Sequence, residues 1–131
     1  MKDVPKIVIT VGDEAGVGPE IILKALATNQ IPKKIKILIV GNKKNLISKY
    51  LFLKSLGIEK IVDPNLLDIE DLEISTKNIK EPSSDTGNAS FVYLKHAIEI
   101  VKKLPNSALV TSPICKKFWN SAGHNYSGQT E

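Results

Sequence analysis

The feature that most constrains this chain is an alternation of short, β-branched apolar runs with stretches of helical spacing. Lys6–Val11 (KIVITV) and Ile35–Val40 (IKILIV) are almost wholly apolar, the pattern of strands covered on both faces of a sheet. Ser107–Thr111 (SALVT) is a third run of this kind, and Glu59–Val62 a weaker fourth. Between them the spacing predicts helices. One covers Pro19–Thr28, opened by a proline directly after Gly18, where a fixed φ and a missing N–H suit the first helical turn. A second covers Asn42–Leu56 and ends at Gly57, a natural stop. A third, Thr86–Leu104, places Phe91, Leu94, Ile98 and Val101 at helical intervals. A fourth, Pro113–Ala122, is closed by Gly123. This order implies an α/β fold, a largely parallel sheet flanked by helices, with residues 1–131 as a single α/β region.

Asp63–Ser84 is less regular. Pro64 and Pro82 bracket it and argue against a central strand at those points. Its acidic half (Asp68, Glu70, Asp71, Glu73) fits a solvated edge or a linker, and an edge hairpin is one way to fold it.

With 131 residues, 42% of them hydrophobic, the chain can bury a sizeable core. No apolar run is long enough to span a bilayer, and residues Met1–Lys6 run straight into the first strand rather than into a signal-peptide pattern. A cytoplasmic location is the default expectation. The single cysteine, Cys115, has no internal disulfide partner, which fits a reducing compartment. All 18 basic residues are lysines, giving a net charge of +4. Without arginine forks, an anion must be held by backbone N–H groups, hydroxyls, amides or lysine. The lysines are scattered and aromatics make up only 5% of residues, so no stacking platform for nucleic acid is expected.

Two segments carry candidate chemistry. After the first strand, GDEAGVGPE turns into a helix, with Gly12, Gly16 and Gly18 allowing a sharp turn and close approach to a ligand. The helix start offers free N–H groups and a positive dipole end. Asp13 and Glu14 fit a ribose or an amide edge better than a bare phosphate. The P-loop and Rossmann fingerprints do not match, because Pro19-Glu20 follows Gly18 and Ile21 stands where a third glycine would be needed. A plain strand-to-helix connection is the competing reading. The second segment, SPICKKFWNSAGHNYSGQTE, follows the third apolar run. Ligands of open α/β sheets lie beyond the carboxyl ends of the strands, so both segments are expected to face one cleft. Lys116, Gln129 and Thr130 supply a cation, an amide and a hydroxyl that could hold a small phosphorylated substrate.

The opening ITVGDEAGVGPEI, the stretch SSDTGNASFVYLKHAIE and the closing ALVTSPICKK…GQTE together resemble the 4-hydroxythreonine-4-phosphate dehydrogenases. The glycine loop is also similar to the shorter G-D-G-I-G-P-E of isocitrate and isopropylmalate dehydrogenases. The resemblance implies an isocitrate/isopropylmalate dehydrogenase-like fold in which Gly12, Asp13, Gly16, Gly18 and Glu20 line a cleft for NAD. It maps a substrate-contacting His-Thr pair onto Gln129 and Thr130, with Lys116 as neighbour. Glu14 stands where proline is common, Cys115 where Asn or His is usual, and Gln129 where His is usual. The implied activity is oxidation of 4-phosphooxy-threonine with NAD and a divalent metal, followed by decarboxylation, on the route to pyridoxal phosphate. The implied assembly is a homodimer.

The resemblance covers essentially this whole chain but less than half of a full-length member, so the sequence reads as an N-terminal portion whose metal ligands lie outside it. A sister dehydrogenase acting on another phosphorylated or dihydrodiol substrate is the nearest alternative. A truncated, non-catalytic nucleotide-binding module is the alternative from a different class. His96 and His124 are expected to be surface or satisfied histidines and Cys115 a packed residue. Phe118 and Trp119 are expected in the core or an interface, and Lys117 in solvent.

Overall fold

In the computed structural model, which describes residues 4–74 and 79–130, four parallel strands form one sheet in the order β3-β2-β1-β4. β1 (Lys6–Thr10) and β2 (Lys36–Gly41) lie side by side, with Lys6 opposite Lys36 and Thr10 opposite Val40. β4 (Ser107–Val110) flanks β1 on its other side, with Ile9 opposite Val110. The three clearest apolar runs therefore became three adjacent strands.

The fourth strand is not where the apolar pattern put it. Glu59–Val62 forms no strand; Ile61 is buried against Leu23 and Leu53, and the Val62 N–H donates to the Leu23 carbonyl. β3 is instead Asp68–Asp71 (DIED), paired parallel with β2 from Leu38–Asp68 to Gly41–Asp71. Asp68–Asp71 is thus a parallel edge strand; no hairpin forms among the described residues, and residues 75–78 lie outside them. Pro64 opens a short 3-10 turn, Pro64–Leu66, capped by the Asp63 side chain.

The helices are α1 (Gly18–Ala25), α2 (Lys43–Ser55), α3 (Ser84–Lys103) and α4 (Lys116–Ser121). α2 is capped by Asn42, whose side chain accepts the Asn45 N–H, and Gly57 follows at φ 85°. α3 starts two residues before the expected Thr86 because Ser83 and Thr86 form a reciprocal capping box, which satisfies two N–H groups at the helix start. α4 is shorter than expected, since Pro113–Cys115 precede it without helical structure.

α3 packs on β1, β2 and β4, and the core gathers Val8, Ile39 and Val40 of the sheet with Ile22, Leu46, Tyr93 and Ala97 of the helices. Trp119 of α4 is buried to 1% and donates its indole N–H to the Ser90 hydroxyl of α3 at 2.6 Å. Among the described residues, no helix is long and apolar enough to cross a membrane.

Candidate functional site

Parallel pairing of β1 with β4 sets their carboxyl ends side by side, so the glycine loop and the segment after β4 leave the sheet together. They are in direct contact. The Asp13 N–H donates to the Pro113 carbonyl at 3.0 Å, and the Ser112 N–H reaches the Thr10 hydroxyl at 3.4 Å. Gly12 has φ 71°, and a Cβ there would run into the Pro113 carbonyl oxygen and lie 2.8 Å from that of Ser112. A Cβ at Gly18 would collide with the Val11 carbonyl and lie 2.9 Å from Ser112 Cβ. These two glycines are required first by the chain's own packing. Gly16 is looser: its N–H closes a turn onto the Asp13 carbonyl at 2.9 Å.

The two acidic side chains of the loop point inward. Asp13 is 2% exposed; one carboxylate oxygen accepts the Ala15 N–H at 3.0 Å and the other the Thr86 hydroxyl at 3.1 Å. Glu14 is also 2% exposed, and accepts from the Asn45 amide at 2.9 Å and the Tyr93 hydroxyl at 2.8 Å. Burial pushes the Glu14 carboxyl above its usual 4.5, against the lowering effect of those two donors. Burial, followed by the Glu14 charge, drives the Tyr93 phenol far upward. Glu20, in the first turn of α1, pairs with Lys24 at 2.6 Å on the surface.

The closing segment returns to the same junction. The Gln129 side-chain amide donates to the Ser112 carbonyl at 3.2 Å, and its oxygen is buried without a protein partner. Gly12, Asp13, Gly18 and Gln129 are thereby gathered around Ser112–Pro113, whereas Lys116 heads α4 in an exposed position and Thr130 is exposed. Ser112, Thr86, Asn45 and Tyr93 were not singled out from sequence. A serine between Thr111 and the Pro113 turn was the only available hint.

Two hollows border this region. One of about 400 Å³ is lined by Ala15, Ser48, Lys49, Phe52, Ile79 and Lys80. The other, about 220 Å³, has Phe91, Leu94, Lys95, Trp119, Tyr126 and Gln129 among its walls. Elsewhere, His96 pairs with Glu70 at 2.8 Å, while His124 bonds Asn88 at 2.9 Å and stacks on Phe91. Both histidines are satisfied as expected, and Cys115 is half-buried. Among the described residues, no three His, Cys, Asp or Glu side chains group closely enough to hold a metal ion.

Comparison with known proteins bears directly on this arrangement. The family described as pyridoxal phosphate biosynthetic protein PdxA matches residues 33–131. The chain belongs to that family. A 4-hydroxythreonine-4-phosphate dehydrogenase from Nostoc sp. is 39% identical over 97% of this chain and 37% of its own length. A protein of Oceanobacillus iheyensis, provisionally named D-threonate 4-phosphate dehydrogenase, is 36% identical over 100% of this chain and 43% of its own. The crystal structure of a 4-hydroxythreonine-4-phosphate dehydrogenase from Burkholderia phymatum superposes with a TM-score of 0.81 at 27% identity, covering 99% of this chain and 42% of that one. The chain thus spans about two fifths of the length of the PdxA relatives it matches.

Proposed function

We propose that the chain belongs to an NAD-dependent dehydrogenase that oxidises 4-phosphooxy-L-threonine to 2-amino-3-oxo-4-phosphooxybutanoate, which then loses carbon dioxide, in pyridoxal 5'-phosphate biosynthesis. The observation that carries this reading is the contact of the glycine loop with Ser112–Pro113 and Gln129 at the carboxyl edge of the sheet, in a chain of the PdxA family. That edge is where open α/β sheets bind ligands.

In this reading Gly12, Gly16 and Gly18 shape the wall of the NAD cleft, and Asp13 fixes that wall to the start of α3 through Thr86. The fit to NAD rests on the start of α1, which has no side-chain cap and so leaves N–H donors for a ligand. Glu20, beside it, is partly exposed to solvent while paired with Lys24. Bound NAD supplies the hydride acceptor. Gln129, Thr130 and Lys116 contact the phosphorylated substrate, with the amide orientation of Gln129 set by Ser112.

The divalent metal implied by the family resemblance does not fit the described residues, and no step is routed through it. Its ligands belong to another part of the enzyme, which we take to act as a homodimer in the cytoplasm. A second reading, oxidation of a related phosphorylated hydroxy acid, is favoured by Gln129 and by the Oceanobacillus relative's name. Titrating the 131-residue chain with NAD tests the cleft directly. Turnover is tested in a protein of the relatives' full length carrying this sequence, given NAD, divalent metal and either 4-phosphooxy-L-threonine or D-threonate 4-phosphate. NAD reduction with the first substrate is expected. Reduction with neither overturns the reading, and reduction only with the second replaces it.

A further inference from the structure

Glu14 is a buried carboxylate for which the proposed reaction has no use. It sits at the middle of the glycine loop, 2% exposed, with Asp13 beside it equally buried. A buried carboxylate is costly unless hydrogen bonds compensate it, and two do: the Asn45 amide from the first turn of α2 and the Tyr93 hydroxyl from the middle of α3. These partners lie 31 and 79 residues away in sequence and on different helices.

We propose that Glu14 positions the glycine loop, clasping it to α2 through Asn45 and to α3 through Tyr93. Asp13 ties the same loop to the N-terminus of α3 through Thr86, so the loop is held at three points on two helices. Ala15, the next residue, forms part of the wall of the 400 Å³ hollow. A loop released from Glu14 therefore loses its fixed wall.

The clasp responds to protons. The groups that bear on it are Asp13 from its own loop, Tyr93 from α3 and, through Tyr93, Asp71 at the end of β3; from α2 the facing group is the neutral Asn45 amide. Burial, and to a lesser extent the Asp13 charge, oppose ionisation of Glu14, while Asp71 bears on Tyr93. Protonated, the carboxyl relieves that repulsion and keeps its site between the two helices. The consequence for NAD rests on the reading of the loop given above; the clasp itself does not.

Hydrogen–deuterium exchange at amides 12–17 of the 131-residue protein tests this. Glu14→Ala should speed exchange there about tenfold or more while leaving the β1–β2 ladder unchanged. Glu14→Gln keeps an acceptor for Tyr93 and should restore protection. In the natural protein, loop protection corrected for intrinsic exchange should fall as pH rises above the ordinary carboxylate range and the raised Glu14 carboxyl ionises, and in Glu14→Gln it should stay level. If Glu14→Ala does not fold, Tyr93→Phe removes one arm of the clasp and should loosen the same amides. Unchanged loop exchange in Tyr93→Phe, or a pH slope retained in Glu14→Gln, overturns the proposal. NAD titration of the same variants separates the two readings. A loosened loop with unaltered NAD affinity supports the clasp and removes the loop from the cofactor site.

Discussion

Gly12 and Pro113 touch so closely that the backbone of one occupies the place a side chain on the other would need. The contact joins residues about 100 positions apart and locks the two loops that leave β1 and β4. Its consequence is that even alanine is too large, at Gly12 because of φ and the Pro113 carbonyl, at Gly18 because of the Val11 carbonyl. Gly12→Ala and Gly18→Ala should each cost about 2–4 kcal/mol in urea denaturation. Gly128→Ala, with nothing within 4 Å of its Cβ, should stay within about 0.5 kcal/mol. Equal costs at all three positions would mean that the loops do not meet as described.

Trp119 gives a second test, this one of how α4 is held. It is buried against α3, edge-on to Phe91, with its N–H on Ser90. Trp119→Ala should cost about 3–5 kcal/mol. Trp119→Phe keeps most of the volume and should cost less, about 1–2 kcal/mol from the lost hydrogen bond and residual space. Thermal melts followed by circular dichroism would measure both, and a cost near zero for Trp119→Ala would place α4 away from α3.

The raised Glu14 carboxyl makes a prediction about stability and pH. Its folded value lies above the unfolded 4.5, so the unfolded chain releases this proton first. The stabilisation from this group is complete below about pH 4.5 and is lost as pH rises through the folded value. Glu14→Gln cannot titrate, so its stability relative to the natural protein should improve as pH rises from about 4.5 and level off once the folded carboxyl has ionised. The difference between the urea midpoints of the two proteins should change as pH rises above about 4.5; a constant difference would contradict the buried placement of the carboxylate.

Much of the fold was legible because three strands are apolar runs, largely covered in β1 and β2, although β4 leaves Ala108 and Val110 exposed. β3 was not. Asp68, Glu70 and Asp71 carry no strand signal, and the strand exists because β2 offers an unpaired edge to which this backbone can bond. Ile61 misled for the opposite reason: its burial comes from packing on Leu23 and Leu53, with no ladder around it. At the site, the glycines announced special backbone but not its cause, since Ser112 and Pro113 meet them only in three dimensions. The inward turn of Asp13 and Glu14 was equally hidden. Loop carboxylates look solvated until Thr86, Asn45 and Tyr93 arrive from distant elements to bond them.

Gln129 and Thr130 separate binding from architecture. The Gln129 amide N–H is already committed to the Ser112 carbonyl, so the group left for a ligand is its buried, unpartnered oxygen, an acceptor. A buried acceptor without a partner is unfavourable, and a substrate hydroxyl or ammonium donor would relieve it. Gln129→Ala should therefore weaken the phosphorylated substrate by about 0.5–1.5 kcal/mol, with a smaller effect on NAD, in a protein of the relatives' full length. Thr130→Ala, at an exposed position, should act on substrate alone and leave the melting temperature unchanged. Gln129→His introduces a group that titrates between about pH 6 and 7, so substrate binding should acquire a pH dependence over that interval that the natural protein lacks. Calorimetry with each ligand separately distinguishes the outcomes. Equal losses for substrate and NAD, or none for either, would make Gln129 a strut for Ser112 and move the substrate elsewhere.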